Sequence, residues 1–344
     1  MNILYGVNGT GFGHSARAKE IISNLEKRGH KVLAIVHGNS SIFLKPFFSC
    51  LEIKGIEVEF EKGEVSLRKS FQKSFDSIFS NFKSRNLLKE RINSFKPDIC
   101  ITDMEYFTSL LSYLYRLPLI SISNIYELVF QKENERFKGP MYYFTKMLVR
   151  ANSIGSNYYF VLSLDKKGDI SRKARFVAPV IREEVIKSRK IKNAGHILVY
   201  ESRITDNLTD ILKKVPERFI IYGYKKEQKD GNLIFKKDIN EFVKDLAECK
   251  AIIATAGFSL ISEAVYLKKP FFAIPLKKQF EQLLNAVKIK RMGFGEYSER
   301  PEKREIICFL EELNRYKRNL ESFSFNHLEL FDILDLTLKK FVKK

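Results

Sequence analysis

The run IIATAGFSLISEAVYLKKPFFAIPLKKQFEQLLN, residues 252–285, constrains the fold more than any other stretch. With Ala251 it opens as an apolar segment of strand length. The segment breaks at Thr255-Ala256-Gly257, where a tight turn is expected, and Ser259 is placed to cap a helix reaching about Leu267. Pro270 stops that helix. Phe271 to Ile274 reads as a second buried strand closed by Pro275, and a helical pattern resumes from Gln279 to Arg291. This is a βαβα unit whose polar residues fall at strand ends and helix starts, where open parallel sheets bind ligands.

The same alternation runs through the chain. Asn2 to Val7 is an apolar strand leading into Asn8-Gly9-Thr10-Gly11-Phe12-Gly13-His14, then a helix from Ser15 to Arg28 and a strand from Lys31 to Val36. The glycine spacing is not G-x-G-x-x-G, and His37-Gly38-Asn39 stands where a dinucleotide site needs an acid, so a dinucleotide reading is discounted. The glycines still let backbone N–H groups and a helix N-terminus approach an anion. Further strands are expected at Ile56 to Phe60, Asp98 to Thr102, Leu119 to Ile122 and Asn157 to Leu162, with helices at Ser66 to Phe95 and Arg136 to Arg150. At 344 residues, two domains are expected. The class is α/β, with two doubly wound, parallel-sheet, Rossmann-like domains. They are read as residues 1–182 and 195–322, joined by a polar connector at 183–194. An amphipathic basic helix at 323–344 is expected to pack back toward the first domain. In the second domain Asp206 is placed to cap a helix.

Formal charge is +19, from 60 Lys and Arg against 41 Asp and Glu, which predicts attraction to anions. The excess is spread over both halves. Segments 66–91 and 132–182 combine it with many Phe or Tyr residues. The first reads either as a core-facing helix with a solvated basic back or as a membrane-surface helix. No nucleic-acid recognition motif accompanies the charge, so no nucleic-acid partner is expected. The four cysteines are far apart and read as buried free thiols in a reducing compartment. The five histidines form no metal-ligating cluster, so no metal and no resident cofactor are expected. Met1-Asn2 leads straight into Ile3-Leu4-Tyr5, and no uncharged window reaches the ~20 apolar residues of a membrane span. The expected location is cytoplasmic, with peripheral contact to the inner face of the cell membrane as its closest membrane association.

Two motifs together resemble a known group. The N-terminal strand-G-x-G-H-helix followed by Arg28-Gly-His-Lys-Val32 is similar to the first domain of GT-B glycosyltransferases, whose two domains face across a cleft. AGFSLISEAVYLKKPFFAIPLKKQFEQLLNA resembles their donor-binding segment, and the chain as a whole, including Val177-Ala-Pro-Val-Ile-Arg182, resembles the MJ1255-like family, related to glycosyltransferase family 28 and the enzyme that adds N-acetylglucosamine in lipid II synthesis. The resemblance implies inverting transfer of a hexose from a nucleotide sugar, most often a UDP-sugar, to a lipid-linked or glycan acceptor.

It also implies site residues. Glu263 would accept the ribose hydroxyls, although a glutamate there also complements a helix dipole. Gly257, Phe258 and Ser259 offer backbone N–H groups for the diphosphate, as do Gly11 and Gly13 in the first domain. Gln279, Glu281 and Gln282 would hold hexose and diphosphate, with Asn285 beside them; the alternative is a solvated helix face. Phe242 packs near the base or belongs to the core. His14, Asp103 and Glu105 are rival candidates for the catalytic base, and Arg17 contacts phosphate or solvent. The chain departs from the family in two places. Glu201-Ser202-Arg203 replaces a glycine-rich turn, so Ser202 and Arg203 would hold phosphate by side chain. Ser123-Asn124-Ile125-Tyr126 stands where relatives often carry a histidine, which shifts the catalytic burden to His14 or Asp103. A nucleotide-sugar epimerase of the same architecture and a basic nucleic-acid-binding protein are the competing readings.

Overall fold

The computed structural model describes residues 1–55, 60–61, 64–65, 85–130, 139–191, 194–201 and 207–342. Ser202, Arg203 and Asp206, most of the strand expected at Ile56 to Phe60, and most of the helix expected at Ser66 to Phe95 lie outside them. The chain divides into two units. The first comprises Met1–Phe60, Val65–Val180 and Asn326–Lys344; the second comprises Glu61–Glu64 and Ile181–Phe325.

Unit 1 is built on an eight-stranded sheet. Its strands are β1 (Asn2–Val7), β2 (Lys31–Val36), β3 (Cys50–Glu52), β4 (Ile99–Asp103), β5 (Leu119–Ser123), β6 (Tyr158–Leu162), β7 (Gly168–Ser171) and β8 (Ala174–Val177), in the order β3-β2-β1-β4-β5-β6-β8-β7. β4 and β5 are buried along their whole length and β1 along nearly all of it. Strands covered on both faces read as unbroken apolar runs, which is why they are legible. Chain order reverses between β1 and β4, so the switch point lies between their C-terminal ends. The helices used below are α1 (Gly13–Lys27), α2 (Gly38–Leu44), α3 (Arg85–Phe95), α4 (Tyr106–Tyr115) and α5 (Pro140–Ala151). α4 lies directly on β1: a Cβ at Gly6 would stand 2.1 Å from Thr108 Oγ1. The C-terminal helix, Glu329–Val342, belongs to this unit, and Arg28 of the turn after α1 pairs with its Asp332 at 2.8 Å.

Unit 2 carries a seven-stranded sheet. Its strands are β9 (Ile197–Tyr200), β10 (Phe219–Tyr222), β11 (Gln228–Asp230), β12 (Leu233–Phe235), β13 (Ala251–Thr255), β14 (Phe271–Ile274) and β15 (Gly295–Tyr297), in the order β11-β12-β10-β9-β13-β14-β15. Val199, Ile253 and Phe272 stand level across β9, β13 and β14. Here the order reverses between β9 and β13. The helices α6 (Phe242–Glu248), α7 (Phe258–Tyr266) and α8 (Phe280–Arg291) follow the strands.

Both sheets are parallel-dominated, as expected, with β7 and β11 antiparallel at the edges. Three other expectations need correction. The segment read as a polar connector begins as a helix, Glu183–Ser188, with Val185 buried. Gly257, not Ser259, is the N-cap of α7, and no side chain caps that helix. Cys100 and Cys249 are buried free thiols, but Cys50 is half-buried and Cys308 is exposed. Among the described residues no helix is long and apolar enough to cross a membrane.

Candidate functional site

In unit 1 the loop after β1 folds over the end of β4. Asn8 donates its backbone N–H to the Asp103 carbonyl at 3.2 Å, and its side-chain amide donates to Met104 O at 2.9 Å. Gly9 is needed for packing: a Cβ there would meet the His37 carbonyl at 2.1 Å, and its N–H donates to His37 Nε2 at 3.1 Å. Its amide is therefore engaged and not offered to an anion. Gly11 adopts φ +74° with open space around it, and Gly13 begins α1, which has no capping side chain at Phe12.

Sequence reasoning left His14, Asp103 and Glu105 as rivals; the structure gives them different surroundings. Asp103 is the last residue of β4 and is fully buried. Arg17, one helical turn beyond His14, clamps it with two bonds, Nε to Oδ2 and Nη2 to Oδ1, both 2.5 Å. His14 Nδ1 lies 2.9 Å from Asp103 Oδ1 and 2.7 Å from Arg17 Nη2. Arg17 also reaches Ser123 Oγ, at the end of β5, at 3.4 Å. The cluster thus sits on the C-terminal ends of β4 and β5, beside the switch point. Arg17 is buried, so the reading of it as a solvent or phosphate contact is replaced by one as the partner of Asp103.

Burial alone would push the Asp103 carboxyl up, but the charges of Arg17 and His14 and their hydrogen bonds outweigh it and hold it below the usual carboxylate range. A carboxylate held this way binds a proton poorly. His14 is different: Nε2 takes no hydrogen bond among the described residues, and the side chain is 18% exposed. Nδ1 stands between an acceptor and a donor. With its proton on Nδ1, His14 donates to Asp103 and leaves a lone pair on Nε2; with its proton on Nε2, it accepts from Arg17. The first arrangement makes Nε2 a base.

Glu105 is engaged elsewhere. It is the N-cap of α4, accepting from Phe107 N at 2.8 Å, Thr108 N at 2.7 Å and Thr108 Oγ1 at 2.5 Å. Burial raises its pKa against those bonds. Its two oxygens complete a helix start. Phe12, 41% exposed, packs edge-on against Phe43 of α2 at 6.3 Å, leaving an aromatic surface beside the loop.

In unit 2 the segment after β13 lies beside the second switch point. Gly257 has open space around it, Phe258 is buried at the first position of α7, and Ser259 is half-buried at the second. Glu263 is buried and gripped by Arg182, Nε to Oε1 at 2.6 Å and Nη2 to Oε2 at 2.7 Å. Such a fork fixes the carboxylate plane. A carboxylate has about four lone-pair sites, so acceptor capacity remains outside the fork. Asn285 Nδ2 donates to the Ala256 carbonyl at 3.0 Å, and Gln282 Oε1 accepts from Leu276 N at 3.0 Å. Both side chains are buried, so the surface-face alternative is excluded for them. They hold the turns after β13 and β14. Gln279 caps α8 by position only, and its buried Oε1 has no hydrogen-bond partner. Glu281, two residues on, is half-buried. Phe242 is buried edge-on against Tyr200 at 5.6 Å and Tyr222 at 5.1 Å, the last residues of β9 and β10. Lys236 and the Tyr222 hydroxyl meet on Asp245 below it.

Sequence reasoning missed the roles of Arg17 and Arg182. Each meets its carboxylate across more than eighty residues; only the i, i+3 spacing of His14 and Arg17 was a local signal. Among the described residues no group of three His, Cys, Asp or Glu side chains stands together to hold a metal ion.

Residues 1–314 match the family model described as glycosyl transferase family 1. An uncharacterized glycosyltransferase of Methanosarcina acetivorans is 23% identical over 335 residues, covering 88% of this chain and 87% of its own. Among solved structures, the glycotransferase of kitacinnamycin superposes with a TM-score of 0.66 at 14% identity, covering 98% of both chains. The spinosyn rhamnosyltransferase SpnG gives 0.63 at 12%, covering 97% of this chain and 100% of its own. At these identities the likeness is one of fold, and it is the GT-B fold that the two sequence motifs implied.

Proposed function

Because the chain belongs to glycosyl transferase family 1, we propose that it moves a hexose from a nucleoside-diphosphate sugar, with UDP as the nucleotide, to a lipid-linked or glycan acceptor, with inversion. The observation that carries this reading is the His14–Asp103–Arg17 cluster. Arg17 keeps Asp103 ionised, and Asp103 orients the imidazole through Nδ1–H. Nε2 removes the proton of the acceptor hydroxyl as that oxygen attacks the anomeric carbon. The bond from that carbon to the diphosphate oxygen breaks, and the nucleoside diphosphate leaves with the electron pair. The imidazolium formed on His14 is balanced by the buried charge of Asp103. One base and one displacement invert the anomeric centre.

The donor is assigned to the segment after β13. The N-terminus of α7, at Gly257 to Ser259, suits the diphosphate, and Glu263, oriented by Arg182, takes the ribose hydroxyls on its remaining lone pairs. The unpartnered Oε1 of Gln279 suits a hexose hydroxyl, with Glu281 beside it. Phe242 belongs beneath the base. Gln282 and Asn285 act indirectly, by shaping the turns that carry the other groups. Gly11, with open space around it, and Gly13, at the start of α1, are the positions of unit 1 suited to an anion. The relation to the MJ1255-like family and to family 28 rests on the motifs alone, and it is these that favour a lipid-linked acceptor.

A thermal-shift screen of UDP-, GDP- and dTDP-sugars tests the reading. A donor at a hundred times its Kd stabilises the folded state by about 2.7 kcal/mol, and Glu263→Ala is expected to lose most of that shift. If no nucleotide sugar raises the melting temperature, or the variant responds as the wild type does, the donor assignment is wrong.

A further inference from the structure

Half of the large hydrophobic side chains exposed among the described residues fall on one part of unit 1. Tyr143, Met147 and Leu148 lie on α5, Tyr113 and Leu114 lie in the last turn of α4, and Ile154 lies in the turn after α5. Five of the six are 58–72% exposed. Tyr143 and Met147 are one helical turn apart on α5, and Ile154 lies three residues past its end. The Ser109 hydroxyl of α4 donates to the Asn152 carbonyl at 2.6 Å, tying the two elements together. Gly155, next to Ile154, lines the same open groove as Tyr113, Leu114 and Arg116. Exposed apolar side chains gathered on two elements tied in this way mark a place of interaction.

The charges say with what. Residues 106–126 and 139–164 contain no Asp or Glu. Their cations are Arg116, Lys146 and Arg150, with Arg116 and Arg150 exposed among the apolar side chains. Tyrosines and a methionine bordered by cations, with no acid in either stretch, suit the boundary between headgroups and acyl chains. The paired cations suit negative headgroups. A protein partner would be expected to meet acidic and polar groups as well at its rim.

We propose that this face, α5 with the last turn of α4 and the turn after α5, docks unit 1 on an anionic lipid bilayer. Tyr143, Met147 and Ile154 enter the interface, and Arg116 and Arg150 contact the headgroups. This deepens the reading of the acceptor as lipid-linked. It is tested without donor or acceptor, so its failure and the failure of the transfer reading are distinguishable.

The test is flotation of the full chain with vesicles of phosphatidylcholine, alone or mixed with phosphatidylglycerol. The wild type is expected to float with the mixed vesicles more strongly than with the neutral ones, and less so as salt rises. Each cation near such a surface is worth about a fivefold change in binding. Arg116→Glu/Arg150→Glu is therefore expected to bind the mixed vesicles at least ~25-fold more weakly and to lose the preference for them. Met147→Ser/Ile154→Ser is expected to weaken binding to both kinds at least tenfold. Because all four side chains are solvent-facing or nearly so, the variants should keep the wild-type melting temperature. Lys214→Glu/Lys229→Glu, an equal change of charge on exposed lysines of unit 2, is expected to retain most of the binding. Absence of wild-type flotation with both kinds of vesicle overturns the proposal, as does variant binding equal to that of the wild type. Wild-type self-association in solution that Met147→Ser/Ile154→Ser abolishes also overturns it, because the face is then a contact between copies of the chain.

Discussion

Replacing Asp103 by asparagine changes one atom in the best-organised part of unit 1 and has two separable consequences. Asp103 is fully buried and is the carboxylate that Arg17 grips with both of its 2.5 Å bonds. A neutral amide in its place would leave the guanidinium buried without a counter-charge, which costs about 3–5 kcal/mol when one partner of a buried pair is removed. For a unit of this size, each 1 kcal/mol lowers the melting temperature by about 2–4 °C, so unit 1 should melt roughly 6–20 °C lower. Arg17→Met/Asp103→Asn removes both charges and should recover much of that loss, with a coupling of about 0.5–3 kcal/mol between the two sites. The acid limb should change as well. The folded pKa of Asp103 lies below the unfolded value of about 3.9. Its contribution is therefore complete above the unfolded pKa and lost as pH falls through the folded one. The wild type should lose this stability in acid, and Asp103→Asn should not. Turnover should fall about 10²–10⁴-fold as the imidazolium formed on His14 loses the negative charge that balances it and orients Nδ1–H. Scanning calorimetry of the four proteins of the cycle at neutral and acid pH is the assay. Additive losses in the double variant, or an unchanged melting temperature for Asp103→Asn, would refute the assignment of Asp103 as a charge held by Arg17.

Glu105→Ala removes the N-cap of α4 and should cost about 0.5–2 kcal/mol while leaving kcat of the folded enzyme unchanged; a collapse of kcat without loss of stability would make it the base after all. Asn285→Ala frees the Ala256 carbonyl in the turn that carries Gly257. The buried group left unpaired should cost about 1–3 kcal/mol and raise the donor KM more than it lowers kcat. Steady-state kinetics in which kcat alone falls would instead place Asn285 against the reacting atoms.

The β13-α7-β14-α8 run was legible because its strands are fully buried apolar segments and Gly257, Pro270 and Pro275 punctuate them. The edge strands β7 (GDIS) and β11 (QKD) were not, because they are short and polar and owe their pairing to a neighbouring strand. The site was legible as a set of positions but not as a set of partnerships. Asn285 and Gln282 look like ligand contacts in sequence, and only the fold shows them bonded to the turns they shape. Glu263 was singled out as a carboxylate at a helix start, but its grip by Arg182 joins residues 81 positions apart. The rivalry among His14, Asp103 and Glu105 could not be decided from spacing, since it turns on which carboxylate has a cation beside it.

Whether His14 takes the acceptor proton is read from the rate of nucleoside-diphosphate release during transfer by His14→Ala, measured beside its affinity for the donor. A rate at least ~100-fold below wild type is expected, with donor affinity changed far less, since the groups assigned to the donor are other residues. A variant that transfers sugar at the wild-type rate would contradict it.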